Sequence, residues 1–182
     1  GFKLMYNHLR AYPEVALGLM RHRYRILHLV RENVLDIIIS RAVAWGDARN
    51  RGQLMQSGHP LLRASDQRAV KPVRLNPETV VSEIRAEQTR VQKADRVVKA
   101  LPLKSLRLRY EDLKAAPEAT MSMVLGFLGI DSTGLTFSSG LRKIVSGPYA
   151  NRIENYEEIA RELKQSGFDY LIVDEPSAEN VS

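Results

Sequence analysis

A short apolar strand that leads directly into a helix is the feature that most constrains this fold. Residues 24–30 are mostly apolar and too few for a helix, so they predict a strand. Asn33 then resembles an N-cap, with Asp36 three residues later as a box-like partner. The apolar residues within 34–43 predict a buried helix after this cap. The chain therefore contains a strand and a helix joined by a very short turn.

The remaining sequence continues this alternation of strands and helices. Strands separated by helices predict an α/β layer with a largely parallel sheet. We expect one domain, 1–182, with a long loop at 46–75 that acts as a lid or binding segment and a tail at 176–182. The other predicted elements are strands at 2–6 and 103–110 and helices at 13–20, 77–100, 117–128 and 155–166, the last two closed by Gly129 and Gly167.

Composition excludes several classes of protein. The chain has 44% hydrophobic and 26% charged residues, as soluble globular proteins do. No apolar run approaches the roughly 18–20 residues of a membrane span, so we expect no integral membrane segment. The absence of cysteine excludes disulfide scaffolds, zinc fingers and thiol catalysis, and it fits a reducing, cytoplasmic location. No residues have metal-ligand spacing, so no metal is predicted.

Positive charge is concentrated in the first hundred residues. These carry 18 basic and 9 acidic side chains, whereas the remainder carries 9 and 12. Arginine outnumbers lysine by 19 to 8, and guanidinium groups match phosphate and sulfate oxygens well. Two explanations stay open, namely an anionic ligand held by the first hundred residues and a GC-rich genome that favours arginine codons.

Several segments together resemble one enzyme family. Residues 28–40, HLVRENVLDIIIS, resemble the second signature of sulfotransferases that use 3'-phosphoadenosine 5'-phosphosulfate. The stretch 108–117, LRYEDLKAAP, is similar to the family's strand followed by a proline-started helix, and 127–130 resembles the Phe-Leu-Gly that closes that helix. The basic pair at 142–143 is similar to a late basic pair of the family, and 153–158 resembles the terminal segment of its bacterial branch.

The resemblance implies a three-layer, P-loop-like fold with a parallel sheet. It also implies transfer of a sulfuryl group from this nucleotide to a hydroxyl or amine of a small-molecule or carbohydrate acceptor. Residues expected at the 3'-phosphate are Arg31, Ser40, Arg142 and Lys143, and His8 is the candidate general base.

Other polar residues receive weaker or structural roles. His59 in the long loop is a second candidate for the acceptor site. His22 and His28 are expected to be structural, and the carboxylates of Glu111 and Asp112 are expected to cap a loop.

Two departures from the family pattern carry expectations of their own. The family's Ser-Gly-Thr loop for the 5'-phosphosulfate is not among these 182 residues, so we expect a chain that is incomplete at its N-terminus. Such a chain would bind nucleotide without turnover, and its unpaired sheet edge would favour a homodimer or aggregate. In many members the arginine lies eight residues before the serine, whereas here Glu32 has that position and Arg31 lies nine before Ser40.

Three alternatives to an active sulfotransferase differ in how well the sequence fits them. One is a non-catalytic nucleotide-binding remnant of the same fold. Another is a basic nucleic-acid-binding module, but the chain has no recognisable reader motif, so no nucleic acid partner is predicted. A nucleotide kinase would need a Gly-x-x-x-x-Gly-Lys-[Ser/Thr] segment, which the sequence lacks.

Overall fold

The computed structural model describes residues 1–51, 71–137 and 147–172. Within these ranges the chain is mostly helical and contains one small parallel sheet, which confirms the predicted mixed α/β class. In chain order the elements are α1 (Tyr6–Ala11), α2 (Glu14–Arg21), β1 (Ile26–Val30), α3 (Val34–Arg51), α4 (Pro77–Ala100), β2 (Ser105–Arg109), α5 (Tyr110–Ala115), α6 (Pro117–Leu128), α7 (Tyr149–Arg152), α8 (Tyr156–Gln165) and a final 3-10 turn (Asp169–Ile172).

The chain divides into two compact units. Unit 1 comprises Gly1–Glu32 and Glu87–Phe137, and unit 2 comprises the described residues of Asn33–Ala86 and Ser138–Ser182. Helix α4 begins in unit 2 and ends in unit 1, and the turn after β1 carries the chain from unit 1 to unit 2.

Unit 1 is built on the parallel pair of β1 and β2. Ile26 lies opposite Ser105 and Val30 opposite Arg109, so the two strands end at the same edge. Along β1, His28 and Val30 are buried whereas Leu27 and Leu29 are exposed, as the period of two along a strand requires.

Unit 2 contains the larger apolar core. Helix α3 contributes four buried side chains from its first two turns, because apolar residues there recur with helical spacing. Burial of these branched side chains outweighs the weak helix preference of three successive isoleucines. The buried residues of this core are Val34, Leu35, Ile38, Ile39, Leu75, Val80, Ile84, Tyr149, Ile153, Ile159, Leu163 and Leu171.

Helix boundaries agree well with the sequence where a cap or a proline marks them. Helix α4 runs from Pro77 to Ala100 as predicted, and the side chain of Asn76 accepts the backbone N–H of Glu78 at its start. Helix α6 ends at Leu128, and the C-cap residue Gly129 adopts a left-handed backbone conformation with φ of 74°. Only glycine enters this conformation at little cost, so the predicted C-cap is confirmed.

Two predicted segments are wrong. Residues 2–6 form no strand, and Tyr6 instead begins α1. Apolar residues alone do not make a strand, which also needs a neighbour for its backbone hydrogen bonds, and among the described residues β1 pairs with β2 alone.

The loop predicted at 46–75 is wrong at both of its described ends. Helix α3 continues to Arg51, because a single glycine at position 46 costs only about 1 kcal/mol in a helix. At the other end, Val73 forms a parallel bridge with Ile153 and Leu75 is buried in the core of unit 2. Residues 52–70 and the tail from 173 lie outside the described residues. In the ranges that the structure describes, no helix is both long and apolar enough to cross a membrane.

Candidate functional site

Arg31 lies immediately after β1 at the carboxyl edge of the sheet in unit 1. Because β1 and β2 end in register, the residues that follow them, Arg31 and Tyr110, are neighbours. The guanidinium carbon of Arg31 lies 4.6 Å from the centre of the Tyr110 ring, a favourable cation–π geometry. The aromatic ring thus holds the cation at the edge where parallel sheets bind ligands.

Glu32, the next residue, is held by β2 and α5. Its carboxylate lies 2.8 Å from Nη2 of Arg109 and 3.6 Å from Nη1 of Arg107. Its backbone N–H donates to Oε1 of Glu111 at 3.0 Å. The prediction that Glu111 caps a loop is therefore confirmed. The neighbouring Asp112 carboxylate instead lies 3.7 Å from Arg109.

At the N-terminus of α3, in unit 2, a buried polar cluster fixes the start of the helix. The side-chain oxygen of Asn33 accepts the backbone N–H of Asp36 at 3.4 Å, as expected of an N-cap. The Asn33 amide donates to the Tyr149 hydroxyl at 2.9 Å and to the Leu171 carbonyl at 3.0 Å. The cap residue thereby ties α3 to α7 and to the final 3-10 turn.

Asp36 and Arg152 form the ionic centre of this cluster. Both side chains are buried, their guanidinium and carboxylate are in direct contact, and the Tyr149 hydroxyl donates to Asp36 at 3.3 Å. Burial, followed by the charge of Asp36, raises the pKa of Tyr149 to about 12. Tyr149 therefore stays protonated at neutral pH and serves as a hydrogen-bond donor.

Ser40 lies on α3, seven residues beyond the Asn33 cap, and its side chain is exposed. At 1.5 Å per residue this is about 10 Å along the helix axis. Ser40 belongs to unit 2 and Arg31 to unit 1. The predicted convergence of these side chains with Arg142 stays a prediction. Arg142, Lys143 and His59 lie outside the described residues.

The candidate base, His8, lies on the short helix α1 in unit 1. Its side chain is half-buried, and its Nδ1 accepts the backbone N–H of Met5 at 3.4 Å. This contact leaves Nε2 as the nitrogen with which His8 would act on an acceptor. His8 is separated from the end of β1 by α2 along the chain.

His28 proves to have partners that its position in the sequence did not suggest. The side chain is buried, as expected of a structural histidine, and it contacts Tyr6 of α1 and Asp95 of α4. The alternation of β1 correctly places His28 on the inner face. Its contacts lie 22 and 67 positions away, and no local pattern indicates them.

An open groove of about 450 Å³ lies in unit 2 beside α8. Three of its lining side chains, Glu154, Glu157 and Glu158, are acidic, and Arg161 is basic. Arg74 lies within 3.9 Å of Glu154 and 3.7 Å of Glu158. This excess of carboxylates makes the groove a poor site for a polyanionic nucleotide. In the described ranges no three histidine or carboxylate side chains are grouped to ligate a metal ion.

Comparisons with protein-family models, with curated proteins and with solved structures each found no match. Function is therefore inferred from the residues of the chain itself.

Proposed function

We propose that this chain is a sulfotransferase-like protein that binds 3'-phosphoadenosine 5'-phosphosulfate. The observation that carries the proposal is the arginine at the carboxyl end of a parallel strand, with its guanidinium held on the Tyr110 ring. A short turn, the Asn33 cap and a helix with an exposed Ser40 follow along the chain. Fixed cations and helix hydroxyls are the groups that bind phosphate oxygens.

The proposal assigns four residues to the nucleotide. Arg31, Ser40, Arg142 and Lys143 bind the 3'-phosphate by charge and hydrogen bonding. Arg31 and Ser40 suit this role chemically, because they offer one delocalised cation and one hydroxyl donor. The adenosine bisphosphate leaving group gains negative charge as it departs, and cations at its phosphates stabilise that charge.

The proposed reaction transfers the sulfuryl group to a hydroxyl or amine of a small-molecule or carbohydrate acceptor. The bond from sulfur to the nucleotide oxygen breaks and a bond to the acceptor atom forms. His8 accepts the proton that the acceptor loses, and adenosine 3',5'-bisphosphate is released. The proposal also includes a three-layer fold with a parallel sheet, a cytoplasmic location and a homodimer.

The test is a comparison of two nucleotides by isothermal titration calorimetry. We expect adenosine 3',5'-bisphosphate to bind more tightly than AMP, since only the former carries a 3'-phosphate. Ser40→Ala and Arg142→Ala should each remove about 1.5–3 kcal/mol of that preference, the range for hydrogen bonds to charged groups. Ser122→Ala, at an exposed helix position of α6, is the matched control and should leave the preference unchanged.

Equal affinity for the two nucleotides would contradict the proposal. Nucleotide preference without transfer from radiolabelled donor to sugar, lipid and phenolic acceptors would favour the non-catalytic remnant. Tight binding of DNA or RNA that weakens steeply with salt would favour the nucleic-acid module instead.

A further inference from the structure

One imidazole in unit 1 connects three elements. His28 lies in the middle of β1 with only 6% of its surface exposed. Its Nε2 is 2.8 Å from the hydroxyl of Tyr6 on α1, and its Nδ1 is 3.1 Å from Oδ1 of Asp95 on α4. The Tyr6 and His28 rings also meet edge to face, with centres 5.7 Å apart.

A neutral His28 with its proton on Nδ1 satisfies both contacts. A neutral imidazole has one N–H donor and one acceptor nitrogen, whereas a carboxylate only accepts. Nδ1 must therefore carry the proton that is donated to Asp95, and Nε2 accepts the O–H of Tyr6. If His28 gained a second proton, Nε2–H would face the hydroxyl hydrogen, and the bond to Tyr6 would have to reverse or break.

The charges around His28 oppose one another. Asp95 on α4 attracts a proton to the imidazole, whereas Arg107 on β2, with Nε 3.5 Å from the same carboxylate oxygen, repels it. The charge of Glu87 on α4 also raises the pKa of the Tyr6 phenol. Burial is the largest effect and lowers the pKa of His28 below its usual 6.5, while burial and then Asp95 raise the pKa of Tyr6. At neutral pH both partners are uncharged.

We infer that His28 is a proton-dependent clamp that holds helix α1 against β1 when it is neutral and releases it when it is protonated. Helix α1 has six residues, and helices this short are not stable without tertiary contacts. The side chains of Met5 and Tyr12, which flank the helix, are 45% and 56% exposed. The partly buried bond between Tyr6 and His28 therefore anchors α1 to β1. Because α1 carries His8, the clamp also positions the proposed base, and only this consequence rests on the proposed function.

The test uses the full chain labelled with nitrogen-15 and needs no nucleotide, so it is independent of the proposed function. Long-range proton–nitrogen spectra at pH 7.5 should show His28 with the proton on Nδ1. Amide hydrogen exchange of α1, corrected for the intrinsic rate at each pH, should lose about tenfold in protection as His28 titrates below pH 6.5.

Three variants separate a clamp from a merely structural histidine. Tyr6→Phe keeps the ring but removes the hydroxyl, so α1 should be poorly protected at every pH. His28→Gln cannot titrate, so the pH dependence of α1 exchange should disappear. Asp95→Asn removes the charge that raises the pKa of His28, so release should move to lower pH. His22→Gln, at an exposed position after α2, is the control and should change none of these.

A proton on Nε2 in the wild-type protein would overturn the inference. So would α1 exchange that has the same pH dependence in the wild-type protein and in Tyr6→Phe.

Discussion

The buried ion pair of unit 2 allows a quantitative test of what fixes the start of α3. Asp36 and Arg152 are 4% and 6% exposed, and they belong to α3 and α7. Removing one partner of a buried pair strands the other charge in a region of low polarity, which typically costs about 3–5 kcal/mol. A protein of this size has a total stability of about 5–15 kcal/mol, so the loss should be large enough to measure easily.

The two single variants should not be equally harmful. Asp36→Asn strands a guanidinium whose Nε has no hydrogen-bond partner among the described residues, and we expect about 3–5 kcal/mol. Arg152→Met leaves a carboxylate that still accepts the Tyr149 hydroxyl and lies in the first turn of α3. The helix dipole favours an anion there by about 0.3–1 kcal/mol, so we expect a smaller loss, about 2–4 kcal/mol.

Urea denaturation followed by circular dichroism measures these losses. The double variant should cost less than the sum of the single variants, with a coupling of about 2 kcal/mol, because no charge is then left unpaired. The exposed pair of Arg74 and Glu158, with side chains 65% and 49% exposed, is the control in the same unit. Arg74→Met should cost at most about 1 kcal/mol. If Arg152→Met costs no more than this control, the buried pair does not stabilise unit 2 as argued.

Two further predictions concern a glycine pair and a buried phenol. Gly129→Ala should destabilise by about 1–2 kcal/mol in urea, because φ is 74° and the added Cβ would lie 3.4 Å from Nη1 of Arg25. The matched change Gly126→Ala, inside α6 with open space around it, should stabilise by about 0.5–1 kcal/mol, and equal effects at the two sites would contradict the argument. For Tyr149, the folded pKa of about 12 exceeds the usual 10.0, so the unfolded chain loses its proton first and stability should fall as pH rises from 10 to 12. Urea midpoints measured across that range should show a smaller slope in Tyr149→Phe, and an unchanged slope there would refute the assignment, with exposed Tyr12→Phe as the control.

The sequence predicted best the elements whose ends are set by local chemistry. Helix α4 lies between an Asn-Pro start and a proline at 102, and its predicted ends agree with the structure. Helix α8 was predicted within one residue at each end, because Gly167 follows it. The strand expected at 2–6 was wrong because strand formation depends on a partner elsewhere in the chain, which a local pattern does not contain.

Local sequence patterns do not predict contacts between residues that are distant in the chain. The spacing from Asn33 predicts a box-like capping role for Asp36, but its buried partner, Arg152, lies 116 positions away. His28 was correctly placed on the inner face of β1, while its contact with Asp95 depends on how α4 packs in unit 1. Amphipathic patterns predict which face of an element is buried, but they do not predict which residue packs against that face.

The turn after β1 shows how such contacts bear on the proposed site. Counting back eight residues from Ser40 gives Glu32, an anion that would repel a phosphate. In the structure the Glu32 carboxylate forms ion pairs with Arg107 and Arg109 of β2, and the backbone N–H of Glu32 donates to the Glu111 carboxylate. Glu32 therefore neutralises the arginines of β2 and anchors the turn, which is a role within unit 1. Arg31, whose guanidinium is held on the Tyr110 ring instead, is the residue of this turn on which the proposed binding of an anion depends.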